Sequence, residues 1–65
     1  MMIFFEITTE KECVIATYNY RDFEISIEKI IKDAKIFLRW YPGGEKVSFE
    51  FANSRYSVSR VFLTK

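Results

Sequence analysis

The chain has 65 residues, a formal net charge of +1, 49% hydrophobic residues and 18% aromatic residues. A chain of this length forms one domain that buries only about 60% of its unfolded surface, so its stability is marginal. Without histidine and with one cysteine, Cys13, it has no intramolecular disulfide, no histidine-based catalytic triad and no ordinary zinc site. Dense aromatic packing or self-association is then the expected source of stability.

The first part of the chain predicts a β-hairpin. Residues 2–8 and 13–20 are rich in β-branched and aromatic side chains, which suit a half-buried pleated surface. The polar residues 8–12 between them are typical of a turn of four or five residues.

The middle of the chain predicts an amphipathic helix. Residues 21–27 alternate as a strand does, but from Ile27 the apolar residues follow the helical spacing i, i+3, i+4 and i+7. Ser26 is a suitable N-cap, and Pro42-Gly43-Gly44 is a clear stop signal. An alternative is a strand over 35–41, which would shorten the helix to about residues 26–34.

The last part predicts a second β-hairpin. Residues 46–52 alternate regularly and form the clearest strand, residues 53–55 are a turn, and residues 56–64 form the last strand. The alternation changes near Ser59 and Arg60, which indicates either a bulge or a strand covered on both faces.

Together these elements predict a small α+β domain with the order ββαββ. Its antiparallel sheet has four strands, or five if 35–41 is a strand, and packs on one helix. The side chains expected to face the helix are Ile3, Phe5, Ile7, Val14, Ala16, Tyr18, Val47, Phe49 and Phe51.

The face of the sheet turned away from the helix is expected to be partly apolar. Its members would be Met2, Phe4, Cys13 and Ile15, joined either by Val61 and Leu63 or by Phe62. A contiguous exposed apolar patch usually marks an interaction surface. We therefore predict a homodimer through the sheet or an edge strand; the alternatives are a strand phase shifted by one residue, or a terminus that folds over the patch.

A second apolar feature lies on the polar side of the predicted helix. Ile36 and Trp40 are four residues apart and close to Arg39, and Trp and Arg are enriched where proteins bind each other. The predicted partner-binding residues are therefore Ile36, Arg39, Trp40, Phe4 and Ile15. In the alternative, Ile36 and Trp40 belong to a strand and pack in the core.

Charge is unevenly distributed along the chain. Residues 1–28 carry a net charge of −4 and residues 29–65 a net charge of +5, which would largely cancel if the hairpins intermix in one sheet. The alternative function is binding of single-stranded or double-stranded nucleic acid, since Arg55, Tyr56 and Arg60 combine cations with an aromatic ring. Lys32 would add to that surface.

Catalytic chemistry is not expected. Cys13 follows an acidic residue, so we expect a packing residue and not a nucleophile. The carboxylate pairs Glu10/Glu12 and Glu24/Glu28 are expected to be solvated, and Glu10 with Glu12 lacks the ligand number of a calcium loop. The sequence predicts no enzyme activity, no cofactor and no metal.

The resulting functional hypothesis is a small, non-catalytic protein-interaction module that acts as a homodimer. Its size is typical of regulators or inhibitors of a larger partner protein, including those of phages and mobile elements. A cytoplasmic location is expected, because no run approaches the ~20 apolar residues of a membrane span and the lone cysteine suits a reducing compartment.

Overall fold

A computed structural model of the chain describes residues 1–62 and has the element order ββαββ. The elements are strands β1 (Met2–Thr9) and β2 (Cys13–Asn19), helix α1 (Ile27–Trp40), and strands β3 (Gly44–Phe51) and β4 (Ser54–Ser59). A 3₁₀ turn over Arg60–Phe62 follows β4. The predicted α+β fold, one antiparallel sheet on one helix, is confirmed.

The sheet order is β2-β1-β3-β4, so β1 and β3 are central and β2 and β4 are edge strands. The pairing of β1 with β3 joins the two hairpins and places Glu6 opposite Ser48. A register shift lies between Thr8 and Thr9, where the sequence indicated none. The bulge considered near residues 59 and 60 is not found, because β4 ends there and the 3₁₀ turn begins.

Helix α1 is continuous to Trp40, so the alternative of a strand over 35–41 is wrong. The Ser26 hydroxyl accepts a hydrogen bond from the Lys29 N–H at 3.2 Å, which caps the N-terminus as predicted. Four strands are present within residues 1–62, and the fifth strand of the alternative prediction is not among them.

The connections differ from the predicted ones in detail. The turn between β3 and β4 consists of Ala52 and Asn53, with φ of 53° and 65°, and not of residues 53–55. Positive φ at both central positions is the geometry of a two-residue hairpin turn. At the other end of β3, an added Cβ at Gly44 would lie 3.2 Å from the Tyr41 carbonyl oxygen, so the chain enters β3 by a close backbone approach.

The core lies between α1 and the sheet. Its buried apolar side chains are Ile3, Phe5, Ile7, Tyr20, Ile30, Ala34, Leu38, Val47, Phe49 and Val58. On β1 and β3, the side chains predicted to face the helix do face it, although Phe51 is half-buried. On β2, Val14 and Ala16 are only half-buried and Tyr18 is exposed, since this edge strand extends beyond the cover of the helix.

Two side chains of this region differ from the sequence expectation. Tyr20, the last residue of the predicted strand 13–20, lies just after β2 and is one of the largest fully buried side chains. Phe23 lies in a turn and is 80% exposed, so the strand-like alternation over 21–27 does not form a strand.

Candidate functional site

The face of the sheet turned away from α1, here called the open face, carries exposed apolar side chains as the alternation predicts. Met2, Phe4 and Ile15, together called the open-face patch, are 50%, 59% and 53% exposed. They are neighbours because β1 and β2 pair in a register that sets Phe4 opposite Thr17 and Glu6 opposite Ile15. The alternative of a strand phase shifted by one residue is therefore wrong.

The other residues predicted for this face are only partly placed there. Cys13 is exposed at the start of β2, so the expectation that it is a packing residue is wrong. Val61 is exposed too, but it lies in the 3₁₀ turn and not in a strand. The side chains of Phe62 and Leu63 fall outside the described part of the structure.

A charged cluster borders the open-face patch. The Arg55 guanidinium donates a hydrogen bond to the Glu6 carboxylate, and a second nitrogen lies 3.8 Å from a carboxylate oxygen of Glu50. With Met2 and Phe4, these side chains line a depression of about 350 Å³. Glu6 and Arg55 come from oppositely charged parts of the sequence, so the hairpins intermix and the charges cancel locally, as expected.

The second predicted surface is on α1, where Ile36 lies next to Tyr18 of β2. Ile36 is 45% exposed and Trp40, one turn further along, is 80% exposed. Arg39 is exposed beside them. The alternative in which Ile36 and Trp40 pack in the core is therefore wrong. We call Ile36 and Trp40 the helix flank.

A small groove separates the helix flank from the edge strand. It has a volume of about 160 Å³ and is lined by Tyr18, Lys29, Asp33, Ile36 and Phe37. An ion pair spans one helical turn at its rim, with the Lys29 ammonium 3.6 Å from the Asp33 carboxylate. The groove thus combines apolar walls with one pair of charges.

Tyr20 contacts two of the residues that line this groove, Asp33 and Tyr18. Its hydroxyl donates a hydrogen bond to the Asp33 carboxylate, and its ring lies 4.6 Å from the Tyr18 ring, centroid to centroid. Burial and, secondarily, the bond to Asp33 raise the pKa of the Tyr20 hydroxyl well above its usual range. The contact fixes the end of β2 relative to α1.

Strand β2 lies between the two surfaces and has one unpaired edge. Hydrogen bonds from the Tyr20 N–H to the Met1 carbonyl (2.7 Å) and from the Thr9 N–H to the Glu12 carbonyl (2.8 Å) fix which β2 residues bond to β1. Because bonded and non-bonded pairs alternate along an antiparallel ladder, the backbone groups of the intervening residues point away from β1. These outward residues are Cys13, Ile15, Thr17 and Asn19. Within residues 1–62, no strand pairs with that edge.

The residues of the nucleic-acid alternative are not brought together on one surface. Arg55 lies on the open face, whereas Tyr56 lies on the helix side and stacks on Phe49 at 5.4 Å between ring centroids. Lys32 is exposed on α1. The geometry of these residues gives the alternative no continuous cationic surface.

Arg60, the fourth of these residues, has a structural role that the sequence reasoning missed. Its guanidinium donates hydrogen bonds to the carbonyls of Leu38, Gly44 and Tyr41, the last at 3.3 Å. It thereby satisfies carbonyls at the C-terminal end of α1 and the start of β3. The only sequence signal was a cation just after a strand, which does not distinguish such a contact from a ligand site.

A larger open cavity of about 670 Å³ lies at the end of the domain near Arg60. It is lined by residues 9–12 of the β1–β2 turn and residues 41–45 of the connection after α1. Glu10 and Glu12, the carboxylates considered for a cation, line it. Across residues 1–62, no group of three or more Cys, Asp or Glu side chains could hold a metal ion.

The chain can be classified by its fold alone, as a small ββαββ domain. No family model matches it, and neither the curated proteins nor the solved structures contain a match. Over residues 1–62, no helix has both the length and the apolar character needed to cross a membrane.

Proposed function

We propose that this chain is a small, non-catalytic protein-binding module that acts as a homodimer, and that it regulates or inhibits a larger protein by binding to it. The observation that carries the proposal is the exposure of large apolar side chains on two surfaces, the open face of the sheet and helix α1. Phe4 and Ile15 are exposed on the open face, and Trp40 on the helix flank.

Two physical arguments support this reading. A domain of 65 residues buries only a limited part of its apolar surface in its own core. Burying exposed Phe and Trp side chains in a complex therefore adds stability that the isolated fold lacks. Trp and Arg are also enriched among the residues that contribute most to protein binding. Exposed Trp40 is adjacent to exposed Arg39 in this chain. A reducing, cytoplasmic environment suits the exposed thiol of Cys13.

Self-association is tested by sedimentation equilibrium of the wild-type chain at tens of micromolar. We expect a mass of twice 7.8 kDa. A chain that remains at 7.8 kDa under these conditions contradicts the homodimer.

Binding to a larger partner is tested by affinity capture from a lysate of the native host. We expect the double variant Ile36→Ser/Trp40→Ser to lose the captured protein. The matched control Glu28→Ser/Lys35→Ser, on exposed positions of the same helix outside the Ile36/Trp40 row, should retain it. Equal capture by both variants eliminates the helix flank as the partner-binding site. Capture that disappears after nuclease treatment supports the nucleic-acid alternative instead.

A further inference from the structure

Among the described residues, 1–62, nothing gives the edge strand β2 the usual protection against pairing. Its seven residues, Cys13–Asn19, contain no charged residue and no proline, and are mostly β-branched, aromatic or small. Natural edge strands are normally blunted by charges, prolines, bulges or a covering segment. The other edge strand, β4, carries Arg55 and is followed directly by the 3₁₀ turn. An uncharged segment of this length with an open edge is a strong template for another strand.

We propose that the homodimer forms by antiparallel pairing of β2 with β2 of a second copy, centred on Ala16, so that two four-stranded sheets become one eight-stranded sheet. This inference rests on the proposed homodimer and specifies its geometry. The centre follows from the four outward residues, Cys13, Ile15, Thr17 and Asn19, which are symmetric about Ala16. Only this register pairs all four with the same four residues of a second copy.

In this register, the apolar side chains of β2 contact side chains of the second copy on both faces of the sheet. On the helix side, Tyr18 lies opposite Val14 of the second copy, an aromatic and β-branched pair of the kind that stabilises sheets. On the open face, Ile15 lies opposite Thr17 of the second copy and diagonal to its Ile15. Tyr18 and Ile15 are 47% and 53% exposed in the single chain, so both gain cover.

A second copy fits this edge better than an unrelated strand for reasons of symmetry and charge. Ala16, which meets its own equivalent at the twofold axis, is small and leaves room for the two Tyr18 rings beside it. Because β2 has no charge, self-pairing brings no like charges together within the strand. A twofold contact of this type is the commonest form of protein self-association.

The surface that a standard interface needs is a small part of what this domain exposes. A standard interface buries about 800 Å² on each partner, about one sixth of the 4837 Å² exposed by the described residues. Strand pairing alone covers less than this, so the side chains that border β2 must contribute. The open-face patch and Ile36 of the helix flank lie next to it and supply exposed apolar surface.

The first test removes one outward N–H from the edge. Thr17→Pro loses no hydrogen bond within the single chain, because the Thr17 N–H points away from β1. We expect this variant to keep its circular dichroism spectrum and to dimerise at least about tenfold more weakly than wild type. Ser59→Pro removes an outward N–H in the same way from the edge strand β4, where Ser59 lies opposite Lys46, and should leave dimerisation unchanged.

The second test reads the register directly and does not depend on a proline variant that folds. In a Cys13→Ser background, Ala16→Cys should form an intermolecular disulfide with glutathione disulfide as oxidant, because the two Cα atoms would lie about 4.5 Å apart across the axis. Tyr18→Cys is the control, since its thiol would lie about 13 Å along the strand from the equivalent thiol. Only position 16 should give the covalent dimer on a non-reducing gel.

The outcomes separate the geometry from the homodimer itself. A wild-type dimer with no cross-link at position 16, or with Thr17→Pro as tight as wild type, overturns the β2 pairing and leaves the homodimer standing. A wild-type monomer at tens of micromolar overturns both. In a third outcome, the β2 amide resonances of a monomer shift only when an extended foreign peptide is added. That result would overturn the proposal that a second copy occupies this edge.

Discussion

The Tyr20 hydroxyl donates a hydrogen bond to the Asp33 carboxylate and so ties the residue after β2 to the middle of α1. Tyr20 is 1% exposed, although it carries a polar group and lies next to the edge strand. The carboxylate lets the phenol be buried with its hydrogen bond satisfied, which a buried hydroxyl requires. This contact holds the wall of the groove between the edge strand and the helix.

The contact predicts a fall in stability at high pH. Burial and the bond to Asp33 raise the pKa of Tyr20 in the folded chain above the ordinary tyrosine value of 10.0. The folded state therefore keeps a proton that the unfolded state loses. The free energy of unfolding should decrease as pH rises above about 10, by at most about 1.4 kcal/mol per pH unit from this group.

Urea unfolding at about pH 8 and about pH 11 measures this effect. Tyr20→Phe should be less stable than wild type by about 1–2 kcal/mol near neutral pH and should lose much of the decrease at high pH. Tyr18→Phe is the control, because Tyr18 is exposed and should retain the wild-type pH dependence. An unchanged pH dependence in Tyr20→Phe would show that other groups cause the decrease.

Arg60 should contribute to stability and not to ligand binding. Arg60→Ala removes three hydrogen bonds to backbone carbonyls, which should lower the free energy of unfolding by about 2 kcal/mol. Arg60→Lys should recover little, because an ammonium cannot reproduce the fork of the guanidinium. Arg39→Ala is the matched control, with an exposed side chain and an expected change within about 0.5 kcal/mol. Thermal unfolding followed by circular dichroism measures all three.

The sequence predicted the fold because its strongest patterns are local. The period-2 alternation of β1 and β3, the helical spacing from Ile27 and the stop at Pro42 each specify one element, and the structure has each of them. The open-face exposure of Phe4 and Ile15 followed from the same alternation. What the sequence could not supply were contacts between residues distant in the chain, such as Tyr20 with Asp33 and the order β2-β1-β3-β4.

The two-residue turn between β3 and β4 predicts a stabilising substitution. Ala52 has a φ of 53°, a left-handed conformation that costs an L-residue with a Cβ about 1–2 kcal/mol and costs glycine little. Ala52→Gly should therefore stabilise the domain by up to about 1 kcal/mol. Ala34→Gly is the same chemical change in a buried helical position and should destabilise by about 1 kcal/mol or more. Equal signs for the two variants in urea unfolding would contradict the left-handed turn.

The last prediction compares two nearby positions of α1, one buried and one exposed. Leu38 is fully buried and Trp40, two residues later, is 80% exposed. Leu38→Ala should lower the free energy of unfolding by about 2–5 kcal/mol, whereas Trp40→Gln should change it by no more than about 0.5 kcal/mol in the monomer. Urea unfolding at sub-micromolar concentration isolates the monomer, and a large loss for Trp40→Gln there would show that the ring packs within a single chain. A loss for Trp40→Gln that appears only at tens of micromolar would instead place Trp40 in the contact between two copies, because the stability that association adds increases with protomer concentration.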